Sequence, residues 1–164
     1  MDMQQTDDQL EQEISVGIVS DTHGFLSEAL LAELKKNDYL VHAGDICSPS
    51  NLDELNRLAP IYACLGNNDY CYTYGPQVKK ITRFSIGGLR WMVCHYREML
   101  EPETCDVAIC GHTHRPYIEN DPSGCLIMNP GSPTYPRTAM GPSCGRIVLR
   151  GKKIISSDII LLDE

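Results

Sequence analysis

Seven residues of this chain carry side chains suited to gripping a metal ion, and each follows a short apolar run. Asp21-Thr22-His23 follows the run from Ile14 to Ser20, and Gly44-Asp45 follows Tyr39 to Ala43. Gly66-Asn67-Asn68-Asp69 follows Ile61 to Leu65, and His95 follows Leu89 to Cys94. Gly111-His112-Thr113-His114 follows Val107 to Cys110. The candidate donors are Asp21, His23, Asp45, Asn67, His95, His112 and His114, a set holding four of the five histidines. Carboxylate and neutral imidazole together suit a borderline divalent ion such as Mn, Fe, Ni or Zn, whereas Mg prefers oxygen alone. Asp-x-His and His-x-His each place two donors on one side of a locally extended chain, because strand side chains repeat every second residue. One ion takes about four to six ligands, so seven donors are too many for one. Two ions sharing a carboxylate fit the count, and Asp45, in the middle of the order, is best placed to bridge them. Two ions ~3.5–4 Å apart can hold a bridging hydroxide and clamp the oxygens of an in-line displacement at phosphorus.

Taken singly, these motifs are weak. A Gly-Asp or Gly-Asn after a strand is usually a turn. All five blocks in order, each closing an apolar run, are not explained by turns alone. The donors converge only if their strands are parallel neighbours, since ligands in open α/β sheets bind outside the carboxyl ends of the strands. The pattern supplies such strands. Ile14–Ser20, Tyr39–Ala43 and Ile61–Leu65 read as buried strands. A helix capped by Ser27, with Leu30, Leu31 and Leu34 as its buried stripe, follows the first. A second helix, begun by Ser50 and stopped by Pro60, follows the next. Val78–Ile86 and Leu89–Cys94 flank Gly87-Gly88, a hairpin signal. Further strands are expected at 107–110, 117–118, 126–128, 146–150 and 154–162. Two βα units followed by many strands predict a sheet-rich α/β or α+β sandwich with helices outside.

The 164 residues suit one domain, expected over 13–164, behind a polar, disordered tail at 1–12. With 42% hydrophobic and 22% charged residues, disorder and fibres are excluded. No apolar run approaches a membrane span, and the acidic first twelve residues predict no export signal. Eight cysteines without a C-x-x-C pair read as reduced thiols of a cytoplasmic protein. The net charge of −8 argues against a grip on long nucleic acid, which needs a basic footprint. It leaves a small phosphate ester as a suitable partner, because bound cations reverse the sign inside one cleft. Self-association is not legible, because no surface patch can be mapped from sequence.

The five blocks resemble those of calcineurin-like metallophosphoesterases. Asn129-Pro130-Gly131-Ser132 and Pro136-Arg137 are similar to elements of the small YfcE-like phosphodiesterase branch. The resemblance spans about residues 14–162. It implies a two-sheet β-sandwich flanked by helices, a four-layer fold with a dinuclear centre at one end. It implies one metal held by Asp21, His23, Asp45 and His114, and the other by Asp45, Asn67, His95 and His112. Manganese is the leading expectation, with Ni, Fe, Zn or Mg as alternatives. Asp45, Asn67 and His95 become the catalytic set of a phosphodiesterase or phosphatase using a metal-bridging hydroxide. The competing class is a non-catalytic metal-binding scaffold on the same fold, as the retromer subunit that resembles this family is regarded.

Two departures from the family pattern bear on substrate. Many relatives carry a histidine, credited with protonating the leaving group, where this chain has Asn68. An amide cannot serve as a general acid near neutral pH. Asn68 is instead a candidate substrate contact, and a good leaving group or metal-bound water takes over the protonation. His95-Tyr96-Arg97 stands where relatives show His-Gly-His. Arg97 and Arg137 are candidate phosphate contacts, with a solvated arginine and a loop ion pair as their respective alternatives. His42 reads as a hydrogen-bonded core histidine. Asp69 reads either as orienting a ligand or as a surface turn. Tyr70, Tyr72 and Tyr74 either wall the substrate cleft or decorate a surface loop.

Overall fold

The computed structural model describes residues 12–163. The expected tail at 1–12 lies outside them, Gln12 excepted. The chain runs β1 (Glu13–Val19), α1 (Glu28–Leu34), β2 (Tyr39–His42), α2 (Pro49–Leu58) and β3 (Ile61–Ala63). Then follow β4 (Ile81–Ile86), β5 (Leu89–Cys94), β6 (Val107–Ile109), β7 (Tyr117–Asn120), β8 (Leu126–Asn129), β9 (Ser143–Arg150) and β10 (Lys153–Leu161). Local chemistry sets the boundaries. Ser27 caps α1, its Oγ accepting from the Leu30 N–H at 3.1 Å. The cap of α2 is Ser48 rather than the expected Ser50, because Pro49 is pre-set for the first helical position and Ser48 Oγ accepts from Asn51 N–H at 3.1 Å. Gly87 and Gly88 both have positive φ, the two-residue turn that matches strand twist, and Ile86 faces Leu89 across it. β4 begins at Ile81, later than Val78, because Val78 turns inward against Ile46, Leu52 and Ala63.

Two five-stranded sheets form, in the orders β10-β9-β1-β2-β3 and β4-β5-β6-β8-β7. In the first, β1, β2 and β3 are parallel. In the second, β5, β6 and β8 are parallel. The inner faces meet in one core of Val16, Ile18 and Val41 against Trp91, Val93, Ile109 and Met128. Trp91 is fully enclosed there, and its Nε1–H donates to Ile86 O at 3.3 Å, so the ring is buried without an orphaned donor. Leu30 and Leu34 of α1 and Leu55 of α2 pack with Val19 and Leu40 on the outer face of the first sheet. Each such fully buried aliphatic side chain contributes about 1.5–3 kcal/mol. The outer face of the second sheet is covered by two short 3-10 turns, Arg97–Met99 and Pro102–Thr104, through Leu100 and Cys105. This is the expected α/β sandwich with four layers, but its outermost layer on that side is turn rather than helix. All eight cysteines are free thiols, and Cys105 Sγ lies 3.8 Å from Cys125 Sγ without a bond. No described helix is long and apolar enough to cross a membrane.

The parallel strands of both sheets end at one rim. Asp21 N–H donates to Gly44 O at 2.9 Å, joining the ends of β1 and β2. Gly111 N–H donates to His95 O at 3.0 Å, joining β5 and β6. His95 Nδ1 lies 2.7 Å from Ala43 O, and His112 N–H donates to Asp21 Oδ2 at 3.0 Å, joining the two sheets.

Candidate metal centre

The donors do not sit on extended chain. Asp21, His23, Asp45, His112 and His114 all have φ between 50° and 73°. The residues flanking each one therefore turn a left-handed corner as the strand ends, and the corner swings the side chain back toward the rim. Aspartate and histidine tolerate this conformation better than most residues, yet each instance still carries strain of about 1–3 kcal/mol. Strain repeated at five polar positions of one rim marks a functional site. It also corrects the expectation that Asp-x-His and His-x-His are locally extended: these pairs converge through corners held by tertiary hydrogen bonds. Gly66 and Gly111 are required beside them, because a Cβ at Gly66 would collide with Asp45 Oδ1 and one at Gly111 with Ser20 Oγ.

Five of the seven expected donors come within coordinating reach of one another. Asp21 Oδ1 lies 3.3 Å from His114 Nε2, 3.8 Å from His23 Nε2 and 3.8 Å from His95 Nε2. Asp45 Oδ2 lies 3.4 Å from His95 Nε2 and 3.7 Å from His23 Nε2. They form two overlapping triads, Asp21–His23–His114 and Asp21–Asp45–His95, with ligand atoms within 4.8 Å. Asp21 belongs to both, and Asp45 faces a histidine of each. His112 and Asn67 are exposed, and His112 belongs to neither triad. The His112 ring packs 5.1 Å from His95 and 4.7 Å from Tyr96. Asn67 lines a cleft that His95 also lines.

The donor set fits a divalent cation on its own terms. Asp21 Oδ1 and His95 Nε2 are buried with no hydrogen-bond partner. Leaving such atoms unsatisfied costs about 1–3 kcal/mol each, and more when charged. A cation between them satisfies both. His95 and His114 each hold a backbone carbonyl at Nδ1, Ala43 O at 2.7 Å and Tyr135 O at 2.6 Å. A proton placed there leaves the Nε2 lone pair facing the centre, the arrangement of metal-ligating histidines. Electrostatics agree. Burial opposes ionisation of Asp45, but the His95 imidazole beside it and hydrogen bonds from Asn68 outweigh it and hold the carboxyl well below the usual range. Burial opposes charging of His95, yet Asp45 and Asp21 outweigh it and raise its pKa. The adjacent Asp21 carboxylate raises His114 against burial. On His23 burial prevails over both carboxylates, and its pKa is lowered.

The supporting residues fall into place around this centre. Asp69 is buried, and its carboxylate accepts from the N–H groups of Asp45, Ile46, Cys47 and Gly66 at 2.8, 3.3, 2.9 and 2.8 Å. It also accepts from Tyr74 Oη at 2.7 Å. Three successive N–H groups around residues of positive φ make an anion-binding nest, and Asp69 fills it. His42 is buried; its Nδ1 accepts from Gly44 N–H at 3.1 Å, and Nε2 meets Thr22 Oγ1 at 3.0 Å. Burial pushes its pKa down to about 4. Asn68 donates both its backbone N–H and its side-chain amide to Asp45, each at 2.9 Å. Arg97 is paired with Glu119 of β7 at 2.8 Å. Arg137 is exposed on the rim, its N–H donating to His114 O at 3.3 Å.

Tyr135 is absent from the sequence reading, and Ser132 stands there only as part of a motif, without a role. Ser132 Oγ donates to Asp21 O at 2.8 Å and accepts from Tyr135 N–H at 2.9 Å. The Tyr135 ring stands edge-on to His23 at 5.4 Å. The one signal for them is the Asn129-Pro130-Gly131-Ser132 block, which holds Ser132 and lies three residues before Tyr135. There Asn129 Nδ2 donates to Gly111 O at 3.0 Å and ties the fifth block in place.

A two-sheet sandwich with Asp/His triads at its rim defines a class, and comparison with known proteins agrees with it. A model of the calcineurin-like phosphoesterase superfamily domain matches residues 14–152. The chain belongs to this superfamily. A probable metallophosphoesterase of Methanocaldococcus jannaschii is 36% identical over 74% of this chain and 69% of its own length. Another, from Methanothermobacter thermautotrophicus, is 32% identical over 85% of this chain and 88% of its own. Among solved structures, Vacuolar Protein Sorting 29 from Cryptosporidium parvum superposes with a TM-score of 0.70 at 20% identity, covering 91% of this chain and 98% of that one. The phosphoesterase YfcE from E. coli gives 0.63 at 20% identity, covering 92% and 100%. At such identities these two likenesses establish the fold.

Proposed function

We propose that this chain is a phosphodiesterase or phosphatase that works with two divalent cations, manganese first among them, on a small phosphate ester. The observation that carries the reading is the pair of buried, partnerless ligand atoms, Asp21 Oδ1 and His95 Nε2, inside two overlapping triads. Asp21, His23, Asp45, His95 and His114 would hold the cations, with Asn67 and His112 completing the shell from the rim. When bound, such cations supply Lewis acidity that acidifies a water and neutralises phosphate charge. The chain's own contribution is positioning. Asp69 fixes the Asp45 corner, Ala43 and Tyr135 carbonyls aim the two imidazoles, and Asn68 holds the Asp45 carboxylate through both oxygens. Arg137 on the rim suits a phosphate oxygen, and Arg97 would serve substrate on release from Glu119. Asn68 supplies no proton, so substrates with good leaving groups are favoured. Positioning and electrostatics supply most of the acceleration in phosphoryl transfer.

A scaffold is the second reading, favoured by the likeness to Vacuolar Protein Sorting 29 and by the amide at Asn68. The full set of seven donors supports the enzyme over it. The test is hydrolysis of bis-p-nitrophenyl phosphate by metal-stripped protein with Mn, Mg, Ni or Zn restored, beside an Asp45→Asn control. Metal-dependent turnover that disappears in the control is expected. No turnover with any metal, in protein that binds two ions, would replace the enzyme with the scaffold.

A further inference from the structure

Beside the triads the rim opens into a cleft of about 350 Å³ whose walls are mostly apolar. Leu65, Tyr70, Tyr96 and Met99 line it, with His95 at the metal end and Lys80 as its one lysine or arginine. A second cleft of about 350 Å³, between α2 and β3–β4, shares no residue with the donor set. The first is therefore continuous with the chemistry through His95, and the second is not. Several features give the rim cleft a specific shape. Tyr96 directly follows a ligand, and its ring is pinned edge-on to His95 at 5.4 Å and against His112 at 4.7 Å. Tyr70 leaves 87% of its surface to solvent, and Met99 leaves 37%. A tyrosine so open at the mouth of an apolar cleft has a face to offer. Lys80 is exposed and has no carboxylate partner among the described residues.

We propose that this cleft receives a flat aromatic substituent of the phosphate ester, so that the substrate class is an aryl- or base-bearing ester rather than an alkyl one. The inference rests on the phosphoesterase reading for where the phosphate sits. A phosphorus held at the triads places its substituent beside His95, where the cleft begins. Two tyrosines and a thioether favour a planar ring over a flexible chain, since rings stack edge-on or offset on rings and sulfur packs well at a ring edge. A ring substituent also loses less conformational freedom on binding than an alkyl chain of similar area. Lys80 supplies a donor for acceptor atoms on the ring, and no acidic side chain lines the cleft to repel them. The volume is at the small end of the ~300–1,000 Å³ typical of ligand sites, enough for one such group.

The test is calorimetric titration of the zinc-loaded protein with phenylphosphonate, methylphosphonate and hexylphosphonate, none of which can be hydrolysed. Phenylphosphonate is expected to bind about tenfold or more tightly than methylphosphonate, and more tightly than hexylphosphonate. Tyr96→Ala and Met99→Ala are each expected to bring the phenyl-to-methyl ratio within about threefold. Met99 lies on a short surface turn, so its variant guards against a Tyr96 variant that fails to fold. A wild-type ratio near one, a ratio that neither variant moves, equal binding of the hexyl compound, or no binding of any phosphonate would overturn the inference. The diester assay separates the two readings. Turnover with a ratio near one removes the aromatic pocket alone, and a high ratio without turnover removes the hydrolase alone.

Discussion

Replacing Asp69 tests whether the centre depends on its second layer. Its carboxylate takes four backbone N–H groups and one phenol, all but one at 2.9 Å or less. Asp69→Ala leaves those donors facing a buried space. A hydrogen bond to a charged acceptor contributes about 1.5–3 kcal/mol, and an orphaned buried donor costs about 1–3 kcal/mol. Five such bonds do not add, because water can enter and the loops can relax. A loss of about 3–5 kcal/mol is the scale to expect, which is at the upper end for one substitution and a large share of the stability of one domain. The loss is directional as well. Asp45 stands at φ 57° and Cys47 at φ 59°, conformations that persist because Asp69 holds their N–H groups. Without it, residues 45–47 return to ordinary backbone, and Asp45 leaves the Asp21–Asp45–His95 triad. Urea unfolding of metal-free protein measures the first effect, and zinc titration of protein still folded measures the second. Zinc affinity should fall by about a hundredfold or more, on the scale of a lost ligand-orienting partner. Asp69→Ala with unchanged zinc affinity and a stability loss below about 1 kcal/mol would refute the role assigned to this carboxylate.

Two further outcomes follow from the same structure. His42 is buried neutral with its pKa near 4, so the unfolded chain binds a proton that the folded chain refuses. Its contribution to stability is full above pH ~6.5 and declines as pH falls toward 4, a loss of about 2.5 kcal/mol by pH 4.5. Urea unfolding of metal-free protein at pH 7 and pH 4.5 should show a change less favourable in wild type than in His42→Gln by about that amount, the other histidines being common to both; an equal change in both would sink it. Zinc should raise the unfolding temperature, since an ion binding only the folded chain at about 100-fold over its Kd adds about 2.7 kcal/mol. Asp21→Asn, which weakens both triads, should abolish most of that rise, and an undiminished rise would place the ion elsewhere.

The donors were legible because Asp, Asn and His at the ends of apolar runs are rare in combination, and parallel strands end together. How they converge was not legible. The left-handed corners at Asp21 and Asp45 depend on hydrogen bonds from strand to strand, such as Asp21 N–H to Gly44 O, which no local pattern encodes. Asp69 shows the same limit: a turn aspartate and an aspartate anchoring residues 45–47 read alike until the partner loop is present. Arg97 does too, because its partner Glu119 is 22 residues away. The cap of α2 falls two residues before the expected Ser50 for a local reason, since Ser48 and Ser50 compete and Pro49 decides between them. The 3-10 cover on the second sheet escaped notice because three-residue turns leave no hydrophobic period.

The centre straddles the seam of the sandwich. Asp21 and His23 hang from β1 of one sheet, and His95 and His114 follow β5 and β6 of the other. An ion seated there would act as a rivet, closing loops as long as that between His23 and His114, 91 residues apart in sequence, as Gly111-His112 and Asp21 are already joined by one hydrogen bond. Cross-links over long loops restrict the unfolded chain most. In such a molecule the candidate metal centre is also the mechanical clasp, and chelation should let the two sheets part first at that rim.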